Sequence, residues 1–321
     1  MMQIVFVGFA AGAASALVFA SIASGSPLSI PLFYLAPLPV LIAAMGWSHV
    51  SGLIAAGVAA LGLGVAFGSV LFVVFLVGVG LPAWWLGYLA LLARPASNGA
   101  PGHLQWYPVG RLVIWAALIG SLVVVAVTVR FGFDAESIQA GLQRALETLF
   151  QVREVDGGST PARTAEIGEF IAWLTIWIPR IAAIPTILAS LLNLWLAARI
   201  VGASGRLKRP WPDLSAITFP SWVPLVLAAV ITGTFAPGLA GIVCWVLAAS
   251  LLTAYMLLGF AVLHATTRTL GGRIFILAGS YLSVMLFGWP ALAVAIIGLL
   301  DAALDVRGRV ARKRANSTRS G

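Results

Sequence analysis

The stretch Glu169–Asp213, EFIAWLTIWIPRIAAIPTILASLLNLWLAARIVGASGRLKRPWPD, decides how the chain is read. Between Phe170 and Ala203 its only charges are Arg180 and Arg199. A membrane helix needs about 20 largely apolar residues to cross a hydrocarbon core of about 30 Å. The expected element is therefore one long spanning helix over 169–201, entering past Glu169 and leaving into Arg206, Lys208 and Arg209. Its middle holds residues that a plain lipid anchor does not need. Arg180 is a charge deep in an apolar run, where charge is costly and is usually paired or faces water. Pro179 and Pro185 remove backbone donors and interrupt the helical ladder. Asn193 adds a polar amide shortly before the basic exit.

The rest of the chain has the same character. Of its 321 residues 61% are hydrophobic and 9% charged, against about 25% charged in soluble domains. Mean hydropathy is +1.03. The chain reads as an all-α, polytopic transmembrane helical bundle of eight to ten spans. Ten candidates fall at about 3–24, 28–46, 49–67, 69–93, 108–130, 169–201, 220–236, 238–265, 273–287 and 289–306. The N-terminus lacks the basic flank of a signal peptide, and further spans follow at once, so it reads as a retained helix. Residues 1–309 form one integral membrane domain, followed by a basic cytoplasmic tail at 310–321.

The charges orient this layout. With both termini cytoplasmic, 14 of the 19 Lys and Arg residues fall inside, four (Arg130, Arg144, Arg153 and Arg163) fall outside, and Arg180 lies in the membrane. That bias is the positive-inside pattern of a bacterial cytoplasmic membrane. The net charge of +9 is then topological and does not point to nucleic acid. Residues 131–168 form the one long extracytoplasmic segment. Within it, Ile138, Leu142, Leu146, Leu149 and Phe150 share one face of an amphipathic helix that Asp134 can cap. Residues 94–107 read as a cytoplasmic loop.

Two patterns concern packing. Gly8, Gly12 and Ala16 lie four apart, as do Gly52, Ala56, Ala60 and Gly64, giving ridges that let backbones approach closely. Such ridges serve packing within the chain or docking of a membrane partner subunit. The second span carries Pro27, Pro31, Pro37 and Pro39, so a broken segment facing protein or a cavity is expected there.

Little reactive chemistry is legible. The chain has one cysteine and three scattered histidines, so neither a metal site nor a catalytic dyad is expected. No cofactor motif or enzyme signature is present, and the chain is not read as an enzyme. Asp301 and Asp305 share a helix face, and Asp305 can pair with Arg309. Counted inward from Glu169 and Pro290, Arg180 and Asp301 both fall about 16 Å deep. They are expected to meet as an intramembrane pair, either as a latch or as part of a solute site with Asn193.

The proline-rich second span, LNLWLAARI (192–200), RPWPD (209–213) and GLLDAALDVRGR (298–309) together resemble the YybS-like predicted membrane proteins of bacteria, domain-of-unknown-function family 2232. The layout is also distantly similar to the substrate-binding S components of energy-coupling-factor transporters. That likeness implies solute binding in the bundle and docking of a partner through Gly8, Gly12 and Ala16, although S components have about six helices. The function expected is a small-solute-binding or transport-related membrane subunit. The alternative is a scaffold or regulator of a cell-envelope complex.

Overall fold

The structure, a computed structural model, describes residues 1–95, 104–154, 161–268 and 270–317. In chain order its elements are α1 (Met2–Ala20), α2 (Ser29–Leu35), α3 (Pro37–Gly46), α4 (His49–Phe67), α5 (Ser69–Phe75), a π-turn over Leu76–Gly80, and α6 (Leu81–Ala90). A short ladder of β1 (Ala93–Pro95) and β2 (Leu104–Trp106) precedes α7 (Val109–Val129). Then follow α8 (Ala135–Glu154), α9 (Pro161–Ile181), α10 (Ala183–Ala203), α11 (Val223–Gly233), α12 (Gly238–Thr266), α13 (Arg273–Phe287), α14 (Pro290–Leu304) and α15 (Val306–Ser317). Among the described residues, seven helical segments are long and apolar enough to cross a bilayer, and α11, α13 and α14 are shorter apolar helices. The protein is an all-α polytopic bundle.

Proline and glycine set the interruptions. Pro185 lacks the N–H that would reach Ile181 and its ring crowds that carbonyl, so the expected single helix over 169–201 is instead two helices meeting at Ala182. The prolines signal the interruption, whereas hydropathy runs straight across it, and α10 by itself is long enough to cross. Pro82 lies just past the π-turn, which absorbs its missing donor. Residues 94–107 are not simply a loop: Arg94 pairs with Gln105 across the ladder, and Arg94 Nε donates to Gln105 Oε1 at 2.9 Å. The C-terminal basic segment is helical through Ser317. Asp134 caps α8 as expected, accepting the Ser137 amide at 2.8 Å, and Ile138 is buried. The amide and hydroxyl of Ser137 hold the Asp134 carboxyl below its ordinary value. Leu149 and Phe150 of that face lie outside the residues whose side chains are described.

Contacts define two ends of the bundle. At one, Arg206 stacks 4.6 Å over the Trp47 ring, Arg209 donates to the Ala90 carbonyl, and Arg268 faces Asp213. This is the basic end. At the other, α8 and α9 pack against the start of α12, around Ile138, Thr175 and Gly241. Among the described residues, three apolar clusters fill the interior. α7 and α10 contribute to two of them, through Val113 and Ile187 on one side and Leu112, Leu194 and Ala197 on the other. α6 does the same through Leu86 and Leu89, so these three helices join the N-terminal half of the bundle to the C-terminal half.

The small-residue ridges are consumed inside the chain. A Cβ at Gly8 would lie 2.7 Å from Ile54, and one at Gly12 the same distance from the Ala55 carbonyl and from Val58. Gly52 abuts Ala44, and Ala16 packs against the third cluster. The expectation of a partner-docking ridge at Gly8, Gly12 and Ala16 is thus corrected: α4 already occupies that face. A still closer approach joins α12 to α14, where Gly259 faces the Val294 carbonyl and Gly298 faces the Tyr255 carbonyl with no room for a side chain.

This crossing yields a direct test. Gly298→Val should lower unfolding stability in detergent by at least about 1–3 kcal/mol, the usual cost of overpacking. Gly57→Val, at a position with nothing within 4 Å of an added Cβ, should leave the melting midpoint nearly unchanged.

Candidate functional site

The two charges singled out in the sequence lie at opposite ends. Arg180 sits in a pocket of about 160 Å³ between α8, α9 and the start of α12, beside Thr175, Pro179, Thr234 and Trp245. Its guanidinium is 5.9 Å from the centre of the Trp245 ring and donates to the Ile176 carbonyl. Asp301 is the twelfth residue of a 15-residue helix, so it lies near the basic end. Its neighbour Gly298 abuts Tyr255 and Gly259 on α12, whereas Arg180 is level with Trp245. The axial separation is about 20 Å. The expected Arg180–Asp301 pair does not form.

Asp301 pairs with Arg307 instead. Chain reversal at Asp305, in left-handed backbone (φ 48°), brings Arg307 back onto the carboxylate. Arg307 Nη2 and Nε lie 2.7 and 2.9 Å from Asp301 Oδ2, and the Arg307 amide donates to Oδ1 at 2.9 Å. Nη1 and Nη2 also donate to the carbonyls of Ser215 and Ile217. This unit is a latch tying α14 and α15 to the 213–219 segment. Asp305 faces Arg312 at 3.2 Å; of Arg309, its carbonyl takes only the backbone amide.

Asn193 has a clear structural role. Pro37 and Pro39 cannot donate to Phe33 and Leu35, and the second span breaks at Ala36 as the prolines predict. The Phe33 carbonyl takes the Ala36 amide at 3.2 Å, and the carbonyls beside the break, Tyr34 and Ala36, find side-chain donors, as carbonyls at a break in lipid must. Asn193 Nδ2 donates to the Tyr34 carbonyl and to Ala189, both at 2.7 Å, and Ser15 Oγ donates to the Ala36 carbonyl at 2.5 Å. Asn193 is 1% exposed and Ser15 fully buried. α1 and α10 thus close the break from two sides. Pro179 and Pro185 act on α9 and α10 and line no large cavity.

The large opening lies elsewhere. A cleft of about 1340 Å³ runs between α10, α12, α13 and the 204–222 segment at the basic end. Its walls are apolar: Leu188, Leu191 and Trp195 from α10, Met256 and Phe260 from α12, and Leu282 and Met285 from α13. α13 stands off the bundle with no buried residue. Its tie to α12 runs through Tyr281, which stacks 4.2 Å from Phe260 at 5° and meets His264 edge-on. The rim carries Arg209, Arg268, Arg273 and Asp213. Burial lowers the proton affinity of Arg209 below the ordinary arginine value. Ser215 first, then Arg268, holds the Asp213 carboxyl below its ordinary range. Among the described residues no cluster of His, Cys, Asp or Glu can hold a metal ion. His49 stacks edge-on against Tyr88, and His103 lies outside the described residues.

Sequence reasoning missed this cleft. Arg209, Arg268 and Arg273 read as topology charges, and its wall residues lie within candidate spans with nothing to set them apart. One available signal was the pair Gly271-Gly272, which frees α13 at its start.

The fold and cleft define a multi-pass integral membrane protein with an amphipathic opening at one end. The chain belongs to the family described as predicted membrane protein DUF2232, whose model matches residues 13–302. No curated protein and no solved structure matches it.

The correction at Asp301 can be measured. Asp301→Asn should cost about 3 kcal/mol, because it leaves Arg307 without its buried counter-charge. A double-mutant cycle with Arg307→Met should show coupling of about 1–3 kcal/mol, whereas Asp301→Asn with Arg180→Gln should be additive within about 0.5 kcal/mol. Asn193→Leu should lose about 1–3 kcal/mol by orphaning the Tyr34 carbonyl. Reversible unfolding in mixed micelles reads all of these.

Proposed function

We propose that this protein is a ligand-binding subunit of a bacterial cytoplasmic membrane, related to transport rather than catalysis, and that the cleft between α10, α12 and α13 is its binding site. One observation carries the reading: an apolar opening of about 1340 Å³ that ends in three arginines and a single aspartate. Binding sites are concave, mostly apolar and carry a few placed polar groups. The cleft has that composition, and its size suits a long or bulky ligand. The clustering of Arg206, Arg209, Arg268 and Arg307 at one end supports placing that end, and both termini, in the cytoplasm. α4 covers the small-residue ridge on α1, which removes that docking face from the transport and the scaffold readings alike.

The test uses dodecyl phosphate, an anionic amphiphile. At about 100 times its dissociation constant it should stabilise the purified protein by about 2.7 kcal/mol. Ala198→Trp places an indole in the cleft wall and should abolish that stabilisation while keeping the unliganded melting midpoint. Equal stabilisation of both proteins, or of neither, contradicts the assignment.

A further inference from the structure

We infer that the occupant of this cleft is a membrane lipid with a phosphate-bearing, anionic headgroup, admitted sideways between α10 and α13. This rests on the cleft being a binding site and names what fills it.

The first argument is length. On α10 the apolar wall runs from Leu188 to Ala198. Ten residues of helix span about 15 Å, half of a hydrocarbon core of about 30 Å. The cleft is therefore one leaflet deep. It begins near the bilayer midplane and ends at the basic end, as a lipid chain does.

The second argument is charge complementarity. The rim holds Arg209, Arg268 and Arg273 against Asp213 alone. Asp213 is already engaged by Ser215, at 2.6 Å from its hydroxyl, and by Arg268 at 3.5 Å. Arg209 is anchored by the Ala90 carbonyl at 2.9 Å and has no carboxylate partner among the described residues. Arg273, at the first position of α13, makes no ion pair among the described residues. Two guanidinium groups, one from the 204–222 segment and one from α13, are thus left to a phosphate, which arginine binds in a fork.

The third argument is access. α13 buries no side chain, and Ile274, Phe275, Met285 and Phe287 are more than two-thirds exposed, as residues in contact with lipid are. Gly271-Gly272 precedes it, and Gly288 (φ 71°) follows. Its hold on α12 is the Tyr281–Phe260 stack, so the α10–α13 side opens toward the bilayer without disturbing the core.

The experiment presents the full-length protein in neutral detergent with equimolar palmitoyl-oleoyl phosphatidylglycerol and phosphatidylcholine, and counts retained lipids by native mass spectrometry. Two unpaired arginines near a headgroup contribute about 1 kcal/mol each, so phosphatidylglycerol should be retained roughly 10- to 30-fold over phosphatidylcholine. Arg209→Gln with Arg273→Gln should bring that ratio close to one. Arg94→Gln with Arg309→Gln removes the same charge at residues that do not line the cleft and should leave the ratio unchanged. Ala198→Trp should remove retention itself. Glycerol 3-phosphate, the headgroup without chains, should not compete. Equal retention of the two lipids, a preference that survives the rim substitutions, competition by glycerol 3-phosphate, or a dimer that vanishes with Ala198→Trp each overturns the inference. Should dodecyl phosphate still stabilise the wild type but not Ala198→Trp, the binding site stands and only the lipid assignment falls. If dodecyl phosphate also fails, both fall.

Discussion

The constraint on which this bundle depends is that a backbone carbonyl in lipid must find a donor. It is most acute at Ala36, where the second span breaks. Asn193 closes that break by donating to Tyr34, and Ser15 closes it from the other side. A break sealed in this way cannot face lipid. It draws α1 and α10 inward, and α10 is one of the helices shared by the apolar clusters of both halves. The proline pattern of one short segment thereby dictates which helices become central.

With α10 fixed on its Asn193 face, its other side is free. Leu188, Leu191 and Trp195 look across open space toward a helix that buries nothing. Close packing is available elsewhere, as at the Gly259–Gly298 crossing, so the looseness of α13 is a local property of its sequence. The Asp301–Arg307 latch adds a floor. By donating to Ser215 and Ile217, Arg307 holds the segment that presents Asp213 and the cleft rim. Breaking the latch therefore acts on the rim as well as on stability.

Much of this was legible in the residues. Hydropathy located the crossing segments, the four prolines announced the break in the second span, and Asp134 with the period of Ile138 and Leu142 marked α8 and its cap. The pairing of Asp301 was not legible, because it follows from a left-handed turn at Asp305 that brings a residue of the basic tail back to the helix. Depth counting failed for a related reason: α14 has only 15 residues, so a midpoint count lands near its end. The role of the Gly8–Gly12 ridge was open in the sequence, since spacing says how closely a partner approaches but not whether it belongs to the same chain. The cleft was illegible because its lining comes from many separated segments, from Met45 on α3 to Met285 on α13, each unremarkable alone.

The most direct test of this account is an experimental density map of the protein in nanodiscs containing phosphatidylglycerol. The account predicts elongated density between α10 and α13, with a compact headgroup feature between Arg209 and Arg273. A map in which α13 packs directly against Leu191 and Trp195, leaving neither space nor density there, would contradict it.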